Sequence, residues 1–289
     1  MAVLTQTCVD RVYLLAPALF LSATFVFAFI VYCGLVAIGH PPKVSGVKHN
    51  QLLGKFFASF LVWLLGPVER LLAGRVSPNT VTATSLAMCG LTGLAAALGH
   101  LPGAVWLYVF AGILDVLDGR LARIGGTHNA AGALFDSVSD RWGELFVFAG
   151  YAWVLRDTPW LLAVMGAVGG SMMVSYTRAR AEGLGIELAA GIMQRAERIV
   201  LVAGGTLIAA WFGPDQPEIA VAILGITMLI TALSSTATAV HRWVVAYRTL
   251  VARDRGTQES AIAPIALDRA PAGTAPVHRF SGVRPVELH

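Results

Sequence analysis

Residues Asp115 to Asp140 read DVLDGRLARIGGTHNAAGALFDSVSD. The stretch sets four carboxylates, Asp115, Asp118, Asp136 and Asp140, in otherwise apolar surroundings. On helices, Asp115 and Asp118 are i,i+3 neighbours and Asp136 and Asp140 are i,i+4 neighbours, so each pair shares one face. Two such helices in contact gather all four. Left unneutralised, that cluster is prohibitive in a bilayer, so a divalent cation or several protons must accompany it. Hard oxygen ligands favour Mg2+ or Mn2+. Gly119, Ala122 and Gly132 carry little or no side chain, which permits close approach by a ligand or a neighbouring helix. Arg123, one turn after Gly119, can fork onto phosphate oxygens.

The surroundings decide the class. The chain has 289 residues, of which 56% are hydrophobic and 13% charged, which predicts an all-α polytopic membrane protein. Cys8, Cys33 and Cys89 lie far apart, with neither a disulfide framework nor a metal-site spacing. The net charge of +4 is modest, and no run of basic and aromatic residues points to nucleic acid.

Outward from the quoted stretch, Val12–Ile38 is uncharged and long enough to span with tilt. It lacks the basic flank and cleavage site of a signal peptide. Residues 1–50 are therefore expected to form one extra N-terminal transmembrane helix and a linker broken at Pro41-Pro42. Leu53, Phe56, Phe57, Phe60, Leu61 and Leu64 recur at helical spacing, predicting a juxtamembrane amphipathic helix. Ser77-Pro78 is a helix entry. The expected six-helix transmembrane core then runs through about Asn79–Leu98, Ala104–Ile124, Asn129–Leu155, Trp160–Glu182, Gln194–Trp211 and Glu218–Trp243. Residues 51–250 make the membrane domain. From Val251 the chain turns to Ala, Pro, Gly and Arg without periodicity, so 251–289 are expected to be a disordered cytoplasmic tail.

In the form Asp-x2-Asp-Gly-x2-Ala-Arg-x8-Gly-x3-Asp-x3-Asp, the stretch resembles the signature of the CDP-alcohol phosphatidyltransferases. All eight fixed positions match: Asp115, Asp118, Gly119, Ala122, Arg123, Gly132, Asp136 and Asp140. Pro78, Asn79 and Thr82 resemble the family's first core helix, whose end approaches the cytidine. Ser175-Tyr176-Thr177-Arg178-Ala179-Arg180-Ala181-Glu182 and Gln194-Arg195-Ala196-Glu197-Arg198 resemble the bacterial phosphatidylinositol-phosphate synthases, as does Arg141. Gln194 stands where that subgroup has an acid and Ala196 where it has proline. His128 and Asn129 replace a usual basic residue, and Glu144 adds an acid near the pocket.

The resemblance implies an enzyme that transfers a phosphatidyl group from CDP-diacylglycerol to a small polar alcohol and releases CMP. A pair of Mg2+ or Mn2+ ions would be held by Asp115, Asp118, Asp136 and Asp140. Asp140 would act as general base. Pro78, Thr82, Asp115, Gly119, Ala122 and Arg123 would bind the CDP-lipid. Arg141, Arg180 and Arg195 would bind the phosphate of a phosphorylated polyol, inositol 1-phosphate first and glycerol 3-phosphate second. A homodimer is expected. With the first core span starting in the cytoplasm, Arg11 and Arg156 are the basic loop and terminal residues left on the far side, consistent with the positive-inside rule. The site would then face the cytoplasm from the cell (inner or plasma) membrane. The rival reading, a cation-coupled transporter, explains neither the Gly-x2-Ala-Arg insert nor the second pair's spacing.

Overall fold

Helix after helix begins where a polar side chain can satisfy the exposed N–H groups of its first turn. The computed structural model describes residues 20, 23–39, 54–126, 129–188, 191 and 193–262. Their helices are α1 (Ala23–Ala37), α2 (Gly54–Leu72), α3 (Pro78–Ala97), α4 (Leu101–Ile124), α5 (Ala130–Val154), α6 (Leu161–Glu182), α7 (Arg195–Phe212) and α8 (Pro217–Ile262). Ser77 caps α3 by accepting the Thr80 N–H at 3.2 Å, with Pro78 at the first helical position. His100 Nδ1 accepts from Gly103 at 3.1 Å to start α4. Asn129 Oδ1 accepts from Gly132 at 2.7 Å to start α5. Gly126 ends the α4 segment in the left-handed region, at φ +61°.

Helix α3 packs against both α4 and α5, α4 also against α7, and α5 against α6. Small residues set the closest crossing. A Cβ on Gly150 would lie 2.6 Å from the Cα of Gly93, and one on Gly93 would strike the carbonyl of Phe146. The α3 and α5 backbones therefore touch, as lipid-embedded helices require in order to gain packing energy. Around this crossing lies a core of Tyr108, Phe148, Tyr151, Leu224 and Met228, each at most 2% exposed. Tyr151 and Thr206 share a 2.6 Å hydrogen bond inside it.

The amphipathic α2 is tied to the core by charge. Arg120, next to Gly119 in α4, donates to both carboxylate oxygens of Glu69 at 2.7 and 3.2 Å. The opposite side of α2 receives α1. Phe60, with no exposure, has ring centroids 5.1 Å from Phe25, 5.0 Å from Phe29 and 5.5 Å from Tyr32. Edge-on aromatic packing of this kind adds to simple burial.

The expected count of crossings needs correction. Among the described residues, three helices are long and apolar enough to cross a bilayer: Pro78–Ala97, Leu101–Ile124 and Pro217–Arg255. That is a multi-pass membrane protein, but not six spans with a seventh before them. Charge is the reason for α5, which holds Asp136, Asp140, Arg141 and Glu144, and for α6, which ends in Arg178, Arg180 and Glu182. Helix α7 spends its first turn on Arg195, Glu197 and Arg198. Helix α1 is apolar but short, about 22 Å against a hydrocarbon core of about 30 Å. Residues 1–19, 21–22 and 40–50 of the expected N-terminal unit lie outside the described residues. Helix α8 continues to Ile262, past the expected start of a disordered tail at 251, and 263–289 lie outside the described residues.

Because no signature residue lies before α3, removing residues 1–50 is expected to lower thermal stability while retaining activity. Uncovering the aromatic face of α2 supplies the loss of stability. A folded but inactive truncation, read by melting in detergent alongside turnover, would place α1 in the working enzyme.

Candidate active site

The α4–α5 pair lines a cavity of about 620 Å³ with all four aspartates. Asp115, Asp118 and Asp136 each contribute a carboxylate oxygen lying within 4.8 Å of the other two. This all-oxygen set fits a hard divalent cation. Asp118 is the most enclosed, at 3% exposure. The Thr82 hydroxyl, from α3, sits 2.6 Å from its Oδ2 and 3.1 Å from the Pro78 carbonyl. A hydroxyl has one proton, and the shorter bond to the charged acceptor is the stronger. Thr82 therefore fixes the orientation of Asp118.

Asp140 is joined to Asp115 through a guanidinium. Arg195 Nη1, from the first turn of α7, donates to both Asp115 and Asp140. The three side chains are only 15–25% exposed. The cluster thus divides, with Asp115 common to the three-carboxylate group and to the arginine bridge.

Glycines shape the walls. A Cβ on Gly119 would lie 3.5 Å from Arg123 Nη1, so the guanidinium folds back over the bare Gly119 backbone. A Cβ on Gly132 would lie 3.2 Å from Asn129 Oδ1 and 3.6 Å from Asn79 Oδ1. The starts of α3 and α5 converge there.

Of the expected site residues, Asp115, Asp118, Gly119, Arg123, Asp136, Asp140, Arg141 and Arg195 line the cavity. Pro78, Thr82, Ala122 and Arg180 do not. Arg180 is exposed on α6, while Arg178, half a turn earlier, lines the cavity and pairs with Glu182 at 2.8 Å. Arg141 donates one arm to the Ser137 carbonyl of its own helix. Glu144 is not a free acid in the pocket. It is paired with Arg198, both side chains being 3% exposed, through a second bond from Nε at 3.0 Å. Among the wall residues not foreseen are Val62 of α2, Val174 of α6 and Arg242 of α8. Arg242 could have drawn notice as a charge closing the apolar run of α8, but position alone says nothing about which way it faces.

With this geometry in view, known proteins give the site a context. The sequence profile of CDP-alcohol phosphatidyltransferases matches residues 75–247. The chain is 32% identical over 170 residues to the phosphatidylinositol phosphate synthase of Mycobacteroides abscessus, covering 56% of this chain and 76% of that one. It is 36% identical over 185 residues to the archaetidylinositol phosphate synthase of Methanothermobacter thermautotrophicus, covering 63% and 92%. The crystal structure of Mycobacterium tuberculosis phosphatidylinositol phosphate synthase with CDP-DAG bound superposes with a TM-score of 0.55 at 26% identity, covering 73% of this chain and 100% of that one. The same enzyme in complex with manganese and citrate gives 0.56 at 26% identity, over 71% and 92%.

Thr82→Val keeps the shape of the side chain but removes the bond to Asp118. It is expected to weaken Mn2+ binding about 10- to 100-fold, as loss of a partner that orients a metal ligand does. Electron paramagnetic resonance of bound Mn2+ reads this directly, and unchanged affinity would free Asp118 from Thr82.

Proposed function

Since the chain belongs to the CDP-alcohol phosphatidyltransferase family, we propose that it transfers the phosphatidyl group of CDP-diacylglycerol to a hydroxyl of a phosphorylated polyol, with inositol 1-phosphate as the preferred acceptor. CMP is the other product. The observation that carries this reading is the cavity itself, which is lined both by the four aspartates and by Arg123, Arg141, Arg178 and Arg195. The first suits a diphosphate with its cations, and the second suits an anionic acceptor.

The residues divide the work as follows. Asp115, Asp118, Asp136 and Asp140 would hold divalent cations, Mg2+ or Mn2+, and two ions suit four carboxylates. Such ions polarise a phosphoryl centre and neutralise the leaving group. Arg123, folded over Gly119, steadies the diphosphate, while Pro78 and Ala122 shape the nucleotide end from just behind the cavity wall. The acceptor hydroxyl gives its proton to a carboxylate oxygen of Asp140 as its oxygen bonds the β-phosphorus. The bond from that phosphorus to the bridging oxygen breaks, and CMP leaves with the electron pair. Nothing is oxidised or reduced.

Arg141, Arg178 and Arg195 would bind the acceptor phosphate, Arg178 taking the role that the sequence assigns to Arg180. Arg195 and Arg178 already pair with carboxylates, and a phosphomonoester can accept further bidentate bonds from these guanidiniums, which a neutral alcohol cannot. The basic residues near the site favour a cytoplasmic orientation. A homodimer remains part of this proposal.

CMP release from CDP-diacylglycerol in detergent or nanodiscs is the direct test. Asp140→Asn should keep CDP-lipid binding yet lower turnover about 10^2- to 10^4-fold, the usual share of a general base. Undiminished turnover would remove Asp140 from the chemistry.

The acceptor assignment has its own check. Arg178→Gln is expected to raise the acceptor KM about 10-fold or more with little change in the CDP-lipid KM, from loss of a charged contact. The exposed Arg180→Gln should stay within about twofold. Robust use of free inositol or serine, with every phosphorylated polyol rejected, would refute the acceptor class and leave the transferase reading standing.

A further inference from the structure

Helix α8 carries no part of the signature, yet two of its buried side chains face the segment that delivers Arg195. In the connection from α6 to α7, Gly191 is buried, and Met193 and Gln194 lead into α7. A Cβ on Gly191 would lie 2.8 Å from Thr238 Cγ2, and 2.9 and 3.0 Å from Nε and Nη2 of Arg242. The backbone of this strap therefore rests directly on α8, at a position where only glycine avoids a collision. Thr238 and Arg242 are each 4% exposed.

The polarity of the contacts is consistent. The Thr238 hydroxyl donates to the Ser234 carbonyl at 2.8 Å, which leaves its lone pairs to accept the Met193 N–H at 3.1 Å. The Met193 carbonyl accepts from Arg198 at 3.3 Å, and Arg198 is held by buried Glu144. Gln194 N–H is taken by Glu197 at 3.1 Å, closing the first turn of α7. Arg242 donates to the Val174 carbonyl of α6 at 3.0 Å, which anchors its guanidinium beneath Gly191. Arg195 is the next residue along and reaches Asp115 and Asp140. As the first residue of a helix it would fray without a fixed approach.

We propose that Thr238 and Arg242 are positioning residues for phosphatidyl transfer. They hold Gly191 and Met193 against α8 and thereby fix Arg195 where it reaches Asp115 and Asp140. Thr238 lies outside the cavity lining and Arg242 within it, and both act through Arg195. The inference rests on the transferase reading above.

The test uses the full chain in detergent. Thr238→Val keeps the volume and loses the acceptor atom, so amide hydrogen exchange across 191–195 should quicken while the remainder is unchanged. The acceptor KM should rise about 3- to 10-fold, the worth of one neutral hydrogen bond, with the CDP-diacylglycerol KM unmoved. Thr238→Ser should restore both, and Gly191→Ala, if it folds, should reproduce the Val phenotype. The deciding measurement is a double-mutant cycle: in the Arg195→Gln background, Thr238→Val should have no further effect. Full additivity, equal damage to both substrates, or no change in acceptor KM in either single variant would overturn the inference. The cycle is read with whichever alcohol the unaltered enzyme uses best. Failure of the phosphorylated-polyol reading therefore shows in the acceptor screen, and failure of the clamp shows in the cycle and in the exchange.

Discussion

Charge inside an apolar bundle must be matched where it stands, because moving an unpaired ion from water into such surroundings costs many kcal/mol. The signature aspartates meet that constraint in two ways. Asp115 and Asp140 share the guanidinium of Arg195, and Asp118 takes the Thr82 hydroxyl. Around them, buried pairs are closed within themselves: Glu69 with Arg120 and Glu144 with Arg198. These outer pairs attach α2 and α7 to the helices that bear the aspartates. The same chemistry that would be a liability elsewhere thus becomes the means of fixing helix positions.

Two kinds of arginine follow from this arrangement. Arg120 and Arg198 bind carboxylates of neighbouring helices and have a fixed structural duty. Arg123, Arg141, Arg178 and Arg195 face the cavity, where an anionic substrate can reach them. Arg195 lines the cavity and pairs with two of the signature aspartates at once, which makes the geometry of its approach past α8 consequential for the site. The start of α7 is closed by Glu197 on the Gln194 backbone N–H, a bond that does not depend on which side chain stands at 194.

Close helix contact supplies the remaining precision. Where Gly93 meets Gly150 the backbones of α3 and α5 touch, and this sets how near Thr82 and Asn79 of α3 come to the aspartate helices. A larger residue at that crossing would spread the helices, and the hydrogen bond from Thr82 to Asp118 would lengthen with them.

The sequence by itself determined the class, the helix entries and the aspartates. Ser77, Asn129 and Gly126 act through neighbours within a few residues, so their roles are legible from local order alone. The same holds for the i,i+3 and i,i+4 pairing of the aspartates, and the signature as a whole announces the family. Tertiary structure decided what depends on contacts between distant segments: that Arg195 bridges Asp115 and Asp140, that Glu144 is spent on Arg198, and that Arg178 rather than Arg180 reaches the cavity. It also decided that α1 packs on α2 through Phe60. A helix has the same local sequence rules on every face, and only its neighbours determine which face is buried and which charge finds a partner.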